Sequence, residues 1–131
     1  MRGGALKKNR CINNLLKFID VLQKNSIDCR NVDNSCTKPY LGMQINNFCY
    51  NTRVITLYNC QGTLITTTFN SSDVSSISST FRIQDIHDDC CTLLILNEEN
   101  GMYYSTGQYI TVSLNCICAV KCLGDVHINC L

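Results

Sequence analysis

Eleven of the 131 residues are cysteine, about 8%, a density at which a short chain reads as a disulfide scaffold and sulfur chemistry bounds what its fold can be. The number is odd. With intrachain bridges alone one thiol is left over, so a free cysteine or at least one bond to another chain is expected. Yet the first eleven residues, which include Arg2, Lys7, Lys8 and Arg10, hold no apolar stretch of the kind an export signal needs, and no later segment approaches the length of a membrane span. The expectation is synthesis in a reducing cytoplasm without a signal peptide, and no membrane partner. Cysteine wealth in such a chain leaves metal ligation, redox chemistry, or oxidation after the producing cell has gone.

The length fits one domain over residues 1–131, long enough to build a true core. Charged side chains make up 16% of the sequence and nearly cancel, for a net charge of +1. No basic surface for nucleic acid is implied, and weak self-repulsion lets identical chains approach one another.

Ile12, Leu15, Leu16, Ile19 and Leu22 recur at helical spacing, with Phe18 widening the apolar face, so residues 1–24 read as an arm followed by an amphipathic helix over Cys11–Lys24. The polar stretch 25–42 reads as a loop holding Cys29 and Cys36. From about residue 43 the pattern is β. Arg53–Cys60 and Thr63–Phe69 form an expected hairpin around Gln61-Gly62, Asn70–Thr80 a serine-rich loop, and Phe81–Ile86 and Cys91–Leu96 two further strands. Leu93 to Leu96 looks buried on both faces. The expected fold is mainly β, an antiparallel β-sandwich or jelly roll over 43–131 with the one N-terminal amphipathic helix against it.

The last strand alternates, with Ile110, Val112 and Leu114 on one face and Tyr109, Thr111 and Ser113 on the other. Carrying that parity onward without a bulge turns Cys116, Cys118 and Cys122 inward as internal cysteines. Cysteines outside regular strands are the candidates for intermolecular disulfides: Cys11 at the head of the helix, Cys29 and Cys36 in the loop, and Cys130 near the end, because movable backbone most easily brings two Cα atoms within bonding range. Cys49, Cys60, Cys90 and Cys91 are left unassigned.

Zinc ligation is the first alternative, since Cys116, Cys118 and Cys122, or Cys90-Cys91 near His87, supply soft ligands. The paired Cys-x-x-Cys spacing of structural zinc sites is missing, so no metal and no cofactor is expected. His87 beside Asp88 and Asp89 is half a catalytic site at most. Glu98-Glu99 is a second acidic pair in an expected turn, where solvated charge is the ordinary reading. No catalytic residue is assigned.

Four blocks carry a resemblance. They are Cys11-Ile-Asn-Asn-Leu-Leu-Lys-Phe-Ile-Asp-Val-Leu-Gln23, Asn51-Thr-Arg-Val-Ile-Thr-Leu-Tyr58, Phe81-Arg-Ile-Gln-Asp-Ile-His-Asp-Asp-Cys90, and Ile110-Thr-Val-Ser-Leu-Asn-Cys-Ile-Cys-Ala-Val-Lys-Cys-Leu-Gly-Asp-Val126. Together they are similar to the cysteine-rich coat and exosporium proteins of the spore coat protein Y and Z family, beside whose pattern Cys60 and Cys130 look additional. The resemblance implies a non-enzymatic structural protein of the bacterial spore surface. Such a protein is made in the mother-cell cytoplasm, assembles with itself and with other coat or exosporium proteins, and forms a two-dimensional layer locked by disulfides. The alternative from another class is a cysteine-rich module that binds a metal or a small ligand.

Overall fold

In the computed structural model, residues 10–24, 50–129 and 131 are described. The helix α1 (Arg10–Lys24) forms over the span its periodicity indicates. Leu16 and Ile19 are fully buried, and Ile12 and Leu15 pack beside them. The apolar stripe is narrower than the sequence suggests. Phe18 is 54% and Leu22 41% exposed, and the positions flanking Leu16 and Ile19 on the buried side are instead the polar Asp20 and Gln23.

Among the described residues seven strands follow: β1 (Thr52–Tyr58), β2 (Thr67–Ser71), β3 (Val74–Ser78), β4 (Thr80–His87), β5 (Cys90–Glu99), β6 (Met102–Ser113) and β7 (Ala119–Val126). Five make one antiparallel sheet in the order β6-β5-β4-β1-β7, and β2 and β3 make a separate two-stranded sheet. Alternation along β5 divides its side chains between two cores. Leu93 and Ile95 join Ile55, Leu57, Phe81 and Ile83 under α1, with Phe69 of β2 in the same cluster. Leu94 and Leu96 join Val54 and Ile128 in a smaller cluster on the opposite face. The mainly β, antiparallel character and the one N-terminal helix are as read from the sequence, with α1 and Phe69 of the β2–β3 hairpin covering one face of the sheet.

The serine-rich stretch expected to be a loop is that hairpin. Ser71 pairs with Val74 across a two-residue turn in which Ser72 and Asp73 have φ of 48° and 69°, the doubly left-handed geometry that matches strand twist. Its serines carry no apolar periodicity to announce a strand. The hairpin expected between Arg53–Cys60 and Thr63–Phe69 shrinks to one isolated bridge, because β2 pairs with β3 in the other sheet and not with β1. Tyr58 bridges to Leu64, and the Asn59 side chain accepts hydrogen bonds from the N–H groups of Gln61 and Thr63, both at 2.9 Å.

Between β1 and β4 the aligned pair is Ile55–Phe81, and beyond it other groups take over the ladder. Gln23 of α1 accepts from the Arg53 N–H at 2.9 Å and donates to the Ile83 carbonyl at 2.7 Å. Arg82 donates to Thr52 Oγ1 at 2.9 Å and to the Asn51 carbonyl at 3.1 Å. Burial lowers the Arg82 pKa from its ordinary value, a shift that Asp20 and then Tyr109 oppose. On the other side of β1, Arg53 and Asp125 are cross-strand partners and meet in two contacts, 2.7 and 2.9 Å.

Candidate functional site

The chemistry-bearing side chains among the described residues are cysteines, and several are gathered by the short connector between β6 and β7. Leu114–Cys116 form one turn of 3-10 helix, started by Ser113, whose hydroxyl accepts from the Asn115 N–H at 3.2 Å. At the head of the connector Leu114 donates to the Asp89 carbonyl at 2.7 Å, and Ser113 pairs across the sheet with Cys90. At its tail Cys118 donates to the Tyr58 carbonyl at 2.9 Å. That places Cys118 beside Cys60 in the turn after β1. The two are joined by a disulfide with Cα atoms 4.8 Å apart, inside the usual range.

This connector overturns the parity argument. The 3-10 turn adds residues that a continuous strand would not, so Ile117 becomes the fully buried position and Cys116 is exposed. Cys118 is half-buried, but in the disulfide rather than in an apolar interior. In β7 the register shifts between Val54 and Ile55, whose partners are Gly124 and Cys122. That strand is also the sheet's edge, and Cys122 is an exposed free thiol. Neither Cys116 nor Cys122 is internal in the folded chain.

The adjacent pair Cys90 and Cys91 are chemically unlike. Cys90 is exposed at the start of β5, opposite His87. Cys91 is fully buried in the main core, and burial, reinforced by the Asp20 and Asp85 carboxylates, pushes its thiol up to about 12, so it stays protonated and unreactive near neutrality. Cys11 is exposed in the first turn of α1 and free. Cys29, Cys36, Cys49 and Cys130 lie outside the described residues.

The histidine–acid combination is a surface feature. His87 lies 3.3 Å from Asp88 with both side chains more than 80% exposed. The described residues hold no cluster of three or more His, Cys, Asp or Glu side chains suited to a metal, and no helix among them is long and apolar enough to cross a membrane. The disulfide is the feature that reading the sequence missed. Cys60 carries no local signal that it faces Cys118, 58 positions away, because only the path of the 114–118 connector brings them together.

Compared with known proteins, the chain matches the family model of spore coat protein Z over residues 2–104. It belongs to the spore coat protein Z family. The matched span takes in α1, β1 to β5 and the first residues of β6, and it ends before the connector that carries Cys116 and Cys118. No curated protein and no solved structure matches it. Membership of the spore coat protein Z family makes this a structural spore coat protein.

Proposed function

We propose that the protein is a non-enzymatic subunit of the bacterial spore surface, in coat, crust or exosporium, that assembles with itself into a two-dimensional layer and is then fixed by disulfides. The observation that carries this reading is the placement of free thiols at the surface of a spore coat protein. Cys11 on the helix, Cys90 at the start of β5, Cys116 in the connector and Cys122 on the edge strand are all exposed, and they sit on separate elements. Thiols on several elements suit bonding to more than one neighbour, which a layer requires and a closed dimer does not. Near-zero net charge removes a barrier to close packing of identical chains. On this reading the intermolecular bonds involve Cys11, exposed on the helix, and Cys29, Cys36 and Cys130, which lie outside the described residues. Other spore coat or exosporium proteins with exposed thiols are partners of the same chemistry.

The test is electron microscopy of the purified protein at high concentration, before and after air oxidation, with light scattering on the same samples. Rings or sheets that become resistant to hot detergent only after oxidation support the proposal. A chain that stays monomeric under oxidising conditions overturns it.

A further inference from the structure

We propose that the Cys60–Cys118 disulfide is an exchangeable bond, which supplies the oxidation state for one link between subunits when a thiolate of a neighbouring copy attacks Cys60. The inference rests on the assembly reading above and adds to it a route by which an intrachain disulfide, once it has been formed by oxidation, becomes a cross-link with no further oxidant. Three features of the site point this way. Cys60 is exposed while Cys118 is half-buried, so an incoming thiolate has open access to one sulfur of the pair. Cys60 lies in a surface turn, with its Sγ 3.9 Å from the carbonyl of Asn115, the residue before the exposed free Cys116 in sequence. The free thiols Cys11, Cys90, Cys116 and Cys122 are all exposed, so each copy carries both the nucleophile and the target.

The reaction balances within the protein. A thiol of the second copy loses its proton to solvent, and the thiolate attacks Cys60 Sγ. A new S–S bond forms between the chains, the Cys60–Cys118 bond breaks, and Cys118 leaves as a thiolate that takes a proton back. One disulfide is consumed and one is made, with no net oxidation. Direction is set by proximity. In a dilute chain Cys118 is held beside Cys60 by the connector's hydrogen bond to Tyr58, so it recaptures Cys60 whenever another thiol attacks. In a packed layer the neighbour's thiol is also held in place, and its effective concentration rises to compete. The bond therefore stays intramolecular until subunits have packed, and then transfers.

The experiment starts from full-length protein with the Cys60–Cys118 bond formed and the other surface thiols reduced, concentrated under strictly anaerobic conditions. Non-reducing electrophoresis, total thiol titration and mass spectrometry of linked peptides are read together. Exchange predicts covalent oligomers without oxygen, an unchanged total thiol count, linked peptides containing Cys60, and a free thiol at Cys118. The Cys60→Ser/Cys118→Ser variant should give no covalent oligomers anaerobically and should recover them in air. Covalent oligomers that form only with a falling thiol count, or whose linked peptides lack Cys60 while Cys60–Cys118 stays intact, overturn the exchange and leave assembly standing. Monomers in air as well as under nitrogen overturn assembly itself, and exchange with it. The thiol count and peptide map are taken on the parent protein, so they decide the matter even where the double variant folds poorly.

Discussion

Gln23 and Arg53 are joined across the gap between helix and sheet: the side-chain amide of Gln23 accepts from the Arg53 backbone N–H at 2.9 Å, at a point where β1 has parted from β4. The same amide holds the Ile83 carbonyl at 2.7 Å, so one side chain takes the place of a stretch of strand pairing. Gln23→Ala leaves the Arg53 N–H without that acceptor in a part-buried setting, while Ile83 keeps a longer contact from Arg82 at 3.4 Å. The expected loss is about 1–3 kcal/mol, measured by chemical denaturation.

The Cys60–Cys118 bond closes a loop of 58 residues, and on a chain-entropy treatment such a closure stabilises by about 4 kcal/mol. Cys60→Ser/Cys118→Ser in dilute protein should lower the melting temperature by roughly the amount this difference implies for a domain of this size, on the order of ten degrees or more. An unchanged melting curve would mean that the turn after β1 and the 114–118 connector hold together without the bond.

Thiol labelling of single chains should separate neighbours in sequence. Cys90, Cys116 and Cys122, all exposed, should react within the time of an exposed model thiol. Cys91, with its thiol pushed up to about 12, is ionised at pH 8 to only about one part in ten thousand, and it is also enclosed by the main core. It should label only on unfolding. Fast labelling of Cys91 in the native chain would show that β5 opens locally.

The Arg53–Asp125 contact predicts a small acid-sensitive term. Hydrogen bonding to Arg53 holds the Asp125 carboxyl below its ordinary value, against a lesser opposing effect of burial. With the folded value depressed, the stabilisation is full above the unfolded carboxylate range near pH 4 and is lost as pH falls through the folded value. Both side chains are about a third exposed, so solvent screens the pair, and Asp125→Asn should cost about 0.5 kcal/mol or less at neutral pH, vanishing in roughly 1 M salt.

Much of this architecture is legible in the order of residues, and the places where it is not have physical causes. Ile12, Leu15, Leu16 and Ile19 announce α1, and Leu93 to Leu96 announce a strand enclosed on both faces, because burial imposes a period that side chains must obey. The alternation of Ile110, Val112 and Leu114 is read correctly to its last member and misleads from the next residue, where a single turn of 3-10 helix turns Ile117 inward and Cys116 outward. The β2–β3 hairpin is invisible because Ser75, Ser76 and Ser78 obey no apolar period. Its strands are held by ladder bonds and by Phe69, the fully apolar side chain they commit to the core. The cysteine pairing is the least legible feature, since it depends on which distant turns meet, and that is decided by the whole path of the chain.

The last prediction concerns the links between subunits that form by oxidation rather than exchange. Cys11 sits in the first turn of α1, exposed and free, and Cys130 follows the last strand, β7, in the sequence. A disulfide needs Cα atoms within roughly 4.4–6.8 Å, and two separately folded chains meet that condition most easily outside the paired strands of a sheet, where a shift of backbone breaks no ladder. Cys122 is exposed as well, but it is fixed in β7 by pairing with Ile55, so bonding there demands accurate placement of the neighbour beforehand. A layer locked through Cys11 and Cys130 would tolerate small packing errors, assembling reversibly and then setting as oxidation proceeds. Cys11→Ser/Cys130→Ser should therefore leave sheets visible by electron microscopy but let them dissolve in hot detergent without reductant. Sheets of the double variant that resist this treatment as well as the parent's would place the covalent links elsewhere, with Cys90, Cys116 and Cys122 the exposed thiols to substitute next.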